Sequence, residues 1–351
     1  MSMAIHVREL PSTKVHVLGT NSGYFPAVAT TDGRHVVIVH RAGAGHMGRS
    51  GRLDAVISED GGDSWSQPVT VADSEWDDRD PEVGVAPSGE VLVAYHVDRN
   101  YTSEERGYEA THFDQEVRLT RSRNGGRTWE APYSLNIQEC RCLFPYGQMV
   151  TMPDGTLLMG LNGSMSWAHG QDGPSHCHLA RSRDGGTTWE ALGVVAQEAI
   201  EPAFLPLKDG GLLAVVRSQR DGNLYCCSGH LPSSTWTEPV QVTTKGRIPP
   251  SLVRLSGGAI LMAYGVRIGP SGARGLISTD EGETWPVERE IIFGDNATNW
   301  DCGYANALVL PSGRLIVAYY TTAQEDPWRC DGAHLHVVVC DEKEMLDAIG
   351  L

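Results

Sequence analysis

Short runs of apolar residues alternate with glycine-containing polar turns along the whole chain. Six times, one such run leads into a turn and then into a second run rich in Val, Leu, Ile and Tyr. The six segments are FPAVATTDGRHVVIVH, DPEVGVAPSGEVLVAYH, PYGQMVTMPDGTLLMGLN, EPAFLPLKDGGLLAVVR, PPSLVRLSGGAILMAYG and YANALVLPSGRLIVAYY. Two strand-like runs joined by a tight polar turn predict a β-hairpin. The pattern therefore predicts an all-β protein containing six similar hairpins.

The spacing of these hairpins predicts their arrangement. The turn glycines recur at intervals of 47 to 66 residues: Gly33, Gly89, Gly155, Gly210, Gly257 and Gly313. Each interval holds one hairpin and two further short strands, which is the size of a propeller blade. The 351 residues are thus predicted to form one domain, residues 1–351, a six-bladed β-propeller. The first strands, AIHV and KVHVLG, are expected to share a blade with HLHVVVC near the end, so that no long edge stays open.

A second repeat, S-x-D-x-G-x-x-W, lies in register with the hairpins. Four copies occur, one with Asn in the Asp place: Ser58–Trp65, Ser122–Trp129, Ser182–Trp189 and Ser278–Trp285. A degenerate fifth copy fits Ser228–Trp236. Gly tolerates positive φ, Asp and Ser bond their own turn backbone, and Trp packs between sheets. These Asp-box repeats predict local turns that stabilise the blades.

Composition limits the function classes. The net charge of −16 argues against nucleic acid or an anionic membrane as a partner. No run of about 18 apolar residues occurs, and the start MSMAIHVREL lacks a signal-peptide core, so a cytoplasmic protein without a membrane segment is expected. The eight cysteines match no zinc spacing and are interpreted as packed, reduced thiols. Neither a metal nor a cofactor is predicted.

Candidate site residues follow from counting along each hairpin. Residues equally far from a turn lie at the same end of a blade, so we took the ninth residue before each turn glycine and the seventh after it. The first set is Tyr24, Asp80, Tyr146, Glu201, Ile248 and Tyr304. The second set is His40, His96, Asn162, Arg217, Tyr264 and Tyr320. All but the isoleucine can form hydrogen bonds, although the strands are otherwise apolar, which predicts a polar pocket around the axis. A polar channel mouth without activity is the alternative.

Together, the two repeats resemble the sialidase superfamily over essentially the whole chain. Family members carry a Glu followed sixteen residues later by an Arg across the fourth hairpin, as Glu201 and Arg217 do here. They also carry a Tyr nine residues before the last hairpin glycine, which matches Tyr304. An Asp-Pro pair opens their second blade, as Asp80-Pro81 does. Asp80 could be a second catalytic carboxylate or form a structural pair with Arg79 at the rim of blade two. The resemblance implies that Tyr304, deprotonated by Glu201, attacks the anomeric carbon, and that Arg217 binds a substrate carboxylate or hydroxyl.

The chain departs from this family pattern in two places. Sialidases use three arginines around the substrate carboxylate, and the first stands in an Arg-Ile-Pro run that reads Tyr24-Phe25-Pro26 here. Arg41 is the candidate replacement, and Arg267 is preferred over Arg274 as the third arginine. The family's general acid is an Asp on the loop before the first Asp box. His46 lies there, with Asp54 further along. His46 is preferred because Asp54 is expected on the third strand, and a His can serve as acid or base at neutral pH.

Three functional hypotheses follow. The first is an exo-acting, retaining glycosidase of the sialidase superfamily whose substrate need not be sialic acid. The second is a carbohydrate-binding propeller without turnover. The third is a His-dependent glycosidase or uronate lyase that uses His46, His40 or His96. In each case the expected partner is a carbohydrate, which the long segment containing Trp167 and His169 could cover.

Overall fold

Six sheets surround a common axis, as the hairpin repeat predicted. The computed structural model describes residues 4–20, 22–104, 107–108, 115–137, 141–164, 175–231, 235–244, 246–322 and 332–351. Trp167 and His169 lie outside these residues. Strands are numbered in chain order and each blade is given from its innermost strand outward. The result is an all-β, six-bladed propeller with one short helix, α1 (Glu342–Ala348), near the end of the chain.

The strand bounds are as follows. Two strands precede the first hairpin: β1 (Ile5–His6) and β2 (Lys14–Thr20). Blade one has β3 (Tyr24–Thr30), β4 (Val36–Ala42), β5 (Arg52–Ser58) and β6 (Val69–Ala72). Blade two has β7 (Asp77–Val85), β8 (Val91–Asp98), β9 (Gln115–Ser122) and β10 (Tyr133–Ser134). Blade three has β11 (Arg141–Pro145), β12 (Gly147–Gln148), β13 (Val150–Thr151), β14 (Leu157–Ser164), β15 (His176–Ser182) and β16 (Glu190–Ala196), with β12 paired to β7 of blade two.

The remaining three blades follow the same order. Blade four has β17 (Ala199–Pro206), β18 (Leu212–Ser218), β19 (Leu224–His230), β20 (Thr235–Trp236) and β21 (Val240–Gln241). Blade five has β22 (Arg247–Arg254), β23 (Ile260–Val266), β24 (Gly272–Ser278) and β25 (Ile291–Gly294). Blade six has β26 (Gly303–Val309), β27 (Arg314–Thr322) and β28 (Ala333–Asp341). In the described part of the chain, short 3₁₀ helices cover Val7–Glu9 and Val287–Arg289.

The N-terminal segment closes the ring differently from the prediction. Strand β2 pairs with β28 and completes blade six, as expected. Strand β1 does not join that blade; it pairs in parallel with β25 of blade five. Val7, between the two strands, is fully buried in the apolar layer shared by blades five and six. The segment therefore crosses from one blade to the next because its hydrophobic side chain is buried between them.

The core consists of apolar layers between neighbouring blades rather than one central mass. For example, Val37 and Val39 of β4 pack with Val91 and Val93 of β8. The opposite face of β4, with Ile38, packs against blade six. Because inner strands are buried on both faces, their sequences are continuously apolar instead of alternating.

The S-x-D-x-G-x-x-W segments form hydrogen-bonded turns between the third and fourth strands of their blades. In the first copy, Ser58 Oγ accepts the Gly62 N–H at 2.8 Å, and Asp60 Oδ1 accepts the Ser64 N–H at 2.9 Å. The Arg314 guanidinium, beside the blade-six hairpin turn, donates to the Gly61 carbonyl at 3.2 Å. These turns therefore lie at the hairpin-turn end of the blades. Part of the degenerate copy, residues 232–234, lies outside the described residues.

Candidate active site

The inner strands are irregular at the end opposite their hairpin turns. In blades one, two, four and six the pairing register slips, and one non-glycine residue there has positive φ: Phe25 (53°), Asp80 (51°), Glu201 (54°) and Tyr304 (50°). An extra residue in one strand is a β-bulge, which re-aims its side chain. Each such backbone conformation costs about 1–3 kcal/mol and is typical of functional sites. The bulges place chemically important side chains from four blades near the axis.

Tyr304 and Glu201 meet across this end of the propeller. The Tyr304 hydroxyl donates to Glu201 Oε1 at 2.5 Å, although the two residues are 103 positions apart. Both are nearly buried, with Tyr304 7% and Glu201 6% exposed. A carboxylate this close to a phenol can accept its proton directly. The structure thus brings together the two residues that the sequence predicted as nucleophile and base.

Blade four itself and the neighbouring blade three hold Glu201 in place. Arg217 Nη1 donates to Glu201 Oε2 at 3.1 Å, so the two carboxylate oxygens have different partners. The Glu201 N–H donates to Asn162 Oδ1 of blade three, and Asn162 Nδ2 donates to the Phe144 carbonyl at 3.0 Å. Asn162, predicted to line the pocket, therefore fixes the backbone of the base. Arg217 is partly exposed, with 25% of its side chain accessible, so it can also contact a ligand.

The Tyr304 ring lies in a buried aromatic cluster. Its ring centroid is 4.8 Å from that of Phe25 and 4.9 Å from that of Tyr146. The Tyr146 hydroxyl donates to the Tyr304 carbonyl at 3.2 Å. Burial raises the pKa of Tyr304 well above its usual value, and the Glu201 charge raises it further, whereas Arg267 and Arg217 act to lower it. The phenol is therefore protonated at rest and needs Glu201 to become a nucleophile.

Arg267 also lies over the Tyr304 ring. Its guanidinium carbon lies 5.4 Å from the centre of the Tyr304 ring and 5.4 Å from that of Trp300. Arg267 Nη2 also donates to the Tyr320 hydroxyl at 3.3 Å. Burial acts to lower the pKa of Arg267, but Tyr320, Tyr304 and Asp301 raise it above its usual value. Arg267 is thus a permanent cation at the site, while Trp300 is 45% exposed beside it.

His46 lies at the same site and pairs with a buried carboxylate. Its Nδ1 lies 2.7 Å from Asp301 Oδ1, and the Tyr320 hydroxyl donates to the same oxygen at 2.5 Å. The ring centroids of His46 and Phe25 are 5.1 Å apart. Since Phe25 also contacts Tyr304, His46 and the predicted nucleophile pack against the same aromatic ring.

Arg41, the predicted replacement for the missing arginine, is fully buried. Its Nε donates to Asp77 Oδ1 at 2.7 Å, and its Nη groups donate to the carbonyls of Gly45 and Gly48. Gly45 and Gly48 flank His46, so Arg41 holds the loop that carries this histidine. Its hydrogen-bond donors are thus used within the protein. Arg41 therefore does not take the predicted place of a substrate-binding arginine.

Asp80 and His96 form a further polar pair in blade two. His96 Nδ1 lies 3.6 Å from Asp80 Oδ2, and Arg79 Nε donates to the same oxygen at 3.2 Å. Burial lowers the pKa of His96, although the Asp80 charge acts to raise it. Arg79 also lies over Phe25, with its guanidinium carbon 5.4 Å from the ring centre. The Asp80 carboxylate thus lies beside both Arg79 and His96, at the edge of the aromatic cluster.

In blade one, counting from the turn glycine selects residues one position too early in the chain. Its glycine, Gly33, occupies the centre of the five-residue turn, whereas Gly89 and the corresponding glycines of blades three, four and six lie one place later. A shift of one residue moves a strand side chain to the opposite face. His40 therefore lies opposite Arg41 on β4, where it contacts the Arg41 carbonyl and faces Asp54.

The same shift explains the position of Tyr24 and of residues in blade five. Tyr24 precedes the bulge and packs on Tyr320, with ring centroids 4.9 Å apart. In blade five, positive φ occurs at Gly258 rather than at the counted Gly257. Tyr264 consequently points away from the cluster and donates to Glu290 Oε1 at 2.8 Å.

The alternatives left open by the sequence are separated by these contacts. Arg274 Nη1 bonds Glu290 Oε2 in blade five, whereas Arg267 reaches the Tyr304 ring. Asp54 bonds Arg52 on its own strand, whereas His46 lies in the cluster. Arg267 therefore lies against the Tyr304 ring, and His46 lies in the same aromatic cluster through Phe25.

Four contributors were not predicted as site residues: Phe25, Asp301, Arg79 and Trp300. Phe25 could have been found from Pro26, because a proline also directly follows the bulge residues Asp80 and Glu201. Asp301 carries no local signal of its partner, since it meets His46 across 255 positions.

The arrangement combines a phenol hydrogen-bonded to a carboxylate, a His–Asp pair and two arginines around one aromatic cluster. This set can supply a nucleophile with its base, a proton donor and anion recognition.

Comparison with known proteins agrees with the fold. A family model described as a BNR repeat-like domain matches residues 52–245, more than half of the chain. The chain belongs to this BNR repeat-like family. A curated sialidase from Bacteroides fragilis (strain YCH46) is 24% identical over 239 residues, which cover 63% of this chain and 42% of the relative. The chain thus spans less than half the length of that sialidase.

Solved structures extend the likeness over nearly the whole chain. A protein of unknown function from Dyadobacter fermentans DSM 18053 has a TM-score of 0.77 at 19% identity, covering 95% of this chain and 99% of its own. A Hadza microbial sialidase has a TM-score of 0.70 at 19% identity, covering 91% of this chain and 66% of its own. The fold is therefore sialidase-like. Among the described residues, no helix has the length and apolar character needed to cross a membrane.

Proposed function

We propose that the protein is an exo-acting, retaining glycoside hydrolase with Tyr304 as nucleophile and Glu201 as its base. The observation that carries this proposal is the 2.5 Å hydrogen bond from the Tyr304 hydroxyl to Glu201 Oε1. Sialidases use a tyrosine nucleophile in place of the usual second carboxylate. The similarity to proteins described as sialidases supports the same class of reaction.

In the first step, Glu201 accepts the Tyr304 hydroxyl proton while the Tyr304 oxygen bonds to the anomeric carbon. The bond to the leaving oxygen breaks, and this oxygen takes a proton from His46. In the second step, His46 takes a proton from water, and the water oxygen bonds to the anomeric carbon. The Tyr304 oxygen departs and recovers the proton from Glu201. Two displacements at one carbon give net retention of configuration.

The substrate class follows from the charged groups. Arg217 and Arg267 together can bind one acidic group of a sugar or its ring hydroxyls. Tyr24, fully buried, stands where sialidases carry their first arginine, and Arg41 is bonded to Asp77. We therefore propose a sugar other than ordinary sialic acid, with a single acidic group or none.

A second candidate is a His-led glycosidase or uronate lyase. The observation that favours it is the pairing of His46 with the buried Asp301, because a His–carboxylate pair is a common general acid–base unit. In that mechanism Tyr304 would line the pocket without forming a bond to the sugar.

A panel of nitrophenyl glycosides of neutral sugars, uronic acids and α-sialic acid tests these proposals. We expect turnover of at least one, and the first-formed product seen by proton NMR should keep the substrate's anomeric configuration. An inverted or unsaturated product would replace the tyrosine mechanism with the His-led one. Binding of glycans in a direct titration without any turnover would indicate a carbohydrate-binding propeller.

A further inference from the structure

His46 and Asp301 form a hydrogen-bonded pair within the aromatic cluster, which we call the acid–base dyad. Asp301 is fully buried, and its Oδ1 is shared by His46 Nδ1 at 2.7 Å and the Tyr320 hydroxyl at 2.5 Å. The Asp301 N–H donates to Asn299 Oδ1 at 2.7 Å, which fixes the loop on which the carboxylate lies. Two side-chain hydrogen bonds therefore meet at the same carboxylate oxygen, Asp301 Oδ1.

The dyad determines which nitrogen of His46 exchanges protons. An ionised carboxylate only accepts hydrogen bonds, so Nδ1 must carry a proton when it bonds Asp301. Proton exchange with a substrate then falls to Nε2. The same logic applies to Ser-His-Asp triads, in which replacing the Asp by Asn leaves the geometry intact but favours the wrong tautomer.

We propose that Asp301 is a positioning residue that keeps a proton on His46 Nδ1, so that the doubly protonated ring donates its Nε2 proton to the leaving oxygen and, left as the neutral Nδ1–H tautomer, takes a proton from water at Nε2. This inference rests on the proposed glycosidase function for its catalytic consequence. Its structural consequence, the tautomer of His46, can be measured without any substrate. Arg41 assists by holding the carbonyls of Gly45 and Gly48 on either side of the histidine.

The charges around His46 set the direction of its titration. Burial lowers the pKa of His46, Asp301 raises it, and Arg79 and Arg267 act to lower it. The rings of Tyr24, Phe25 and Trp300 also lie close to the His46 ring. Asp301 is therefore the neighbour that keeps the protonated form accessible. Removing its charge should lower the pKa of His46 and move the alkaline limb of the pH–rate profile to lower pH, because a general acid acts only while protonated.

The test is nitrogen-15 NMR of histidine-labelled wild-type protein and of Asp301→Asn, with the His46 signal assigned by its loss in His46→Gln. We expect the Nδ1–H tautomer in the wild type, and the Nε2–H tautomer with a lower titration midpoint in Asp301→Asn. The matched control is Asp54→Asn, which removes a buried carboxylate facing a different histidine, His40. It should change the His40 signal and leave that of His46 unchanged.

The kinetic arm compares the nitrophenyl glycoside that the wild type turns over best with the methyl glycoside of the same sugar. A poor leaving group needs proton donation most, so Asp301→Asn should lower kcat by about 10²–10⁴-fold on the methyl glycoside and far less on the nitrophenyl glycoside. Asp301→Glu should recover part of this loss. An unchanged His46 tautomer and midpoint in Asp301→Asn would overturn the inference even if Tyr304 is essential. Retained turnover by Tyr304→Phe would instead overturn the proposed function and leave the tautomer result standing.

Discussion

The two ends of the same blades are built on different principles. At the hairpin-turn end, the repeated turns satisfy their polar groups locally: Ser58 Oγ, for example, accepts the N–H four residues later at 2.8 Å. At the opposite end, bulged strands with positive φ hold buried charged groups whose partners are distant in sequence, such as Glu201 for Tyr304. The first arrangement stabilises each blade by itself. The second is costly for the fold and chemically useful, which is typical of an active site.

The largest contrast should come from removing the Tyr304 hydroxyl. Tyr304→Phe and Glu201→Gln should each lower kcat by at least about 10³-fold, equivalent to about 4 kcal/mol of transition-state stabilisation. Because the two act as a unit, the double variant should be little worse than either single variant. The free energy of unfolding should change by less than about 2 kcal/mol, since one hydrogen bond is lost. Activity is measured on the best nitrophenyl glycoside and stability by urea unfolding; a large loss of stability with activity retained would reverse the roles of the two ends.

The opposite pattern is expected for a tryptophan of the repeated turns. Trp189 is 8% exposed and its Nε1 donates to the Gly186 carbonyl at 3.1 Å. Trp189→Ala should lower the free energy of unfolding by about 3–5 kcal/mol by leaving a cavity, with KM of the folded protein unchanged. The control is Trp300→Ala at the site end, where the ring is 45% exposed. That variant should change KM and leave stability nearly unaltered; a shift of KM in Trp189→Ala at full stability would contradict this division.

The preference of the enzyme among glycosides should show the effect of the missing arginine. One bidentate, charge-assisted contact contributes about 1.5–3 kcal/mol, or roughly ten- to a hundred-fold in binding. With Tyr24 in the arginine position, kcat/KM for a nitrophenyl α-sialoside should fall below that for the best neutral or uronic-acid glycoside by this factor. A sialoside value above about 10⁴ M⁻¹s⁻¹, the lower end of ordinary enzyme efficiency, would show that the arginine is dispensable here.

The smallest effect concerns the serines of the repeated turns. Ser58 and Ser278 are both fully buried and make the same bonds, each accepting the N–H four residues later at 2.8 and 2.9 Å. Ser58→Ala and Ser278→Ala should each lower the free energy of unfolding by about 1–2 kcal/mol. The two values should agree closely and kcat should not change. Strongly unequal values would show that the copies are not equivalent local units.

Local repeats explain why much of the architecture could be predicted. The hairpins and their periodicity indicated six blades, and counting from the turns selected Tyr304, Glu201 and Arg217, which lie in hydrogen-bond contact in the structure. The same count failed for His40, because the turn glycine of blade one stands one place earlier and the strand face is thereby reversed. Strand β1 joined an unexpected blade because the burial of Val7 depends on neighbours far along the chain.

Only one residue of the proposed proton-transfer pair could be predicted from the sequence. His46 was a candidate because of its position before the first repeated turn. Its partner Asp301 lies 255 positions away, and the fold alone brings the two together. Arg41 lies near the site, but its guanidinium binds Asp77 instead of being available to a substrate. The sequence could not show this, because Asp77 belongs to another blade.

The most direct test of the central claim is to trap the sugar on Tyr304. A fluorinated analogue of the best substrate, with fluorine beside the anomeric carbon and a good leaving group, should form the covalent intermediate faster than it is hydrolysed. Peptide mass spectrometry should then find one fluorosugar on the peptide that contains Tyr304, and no label in Tyr304→Phe. A label on another residue, or none while the substrate is turned over with inversion, would contradict the account.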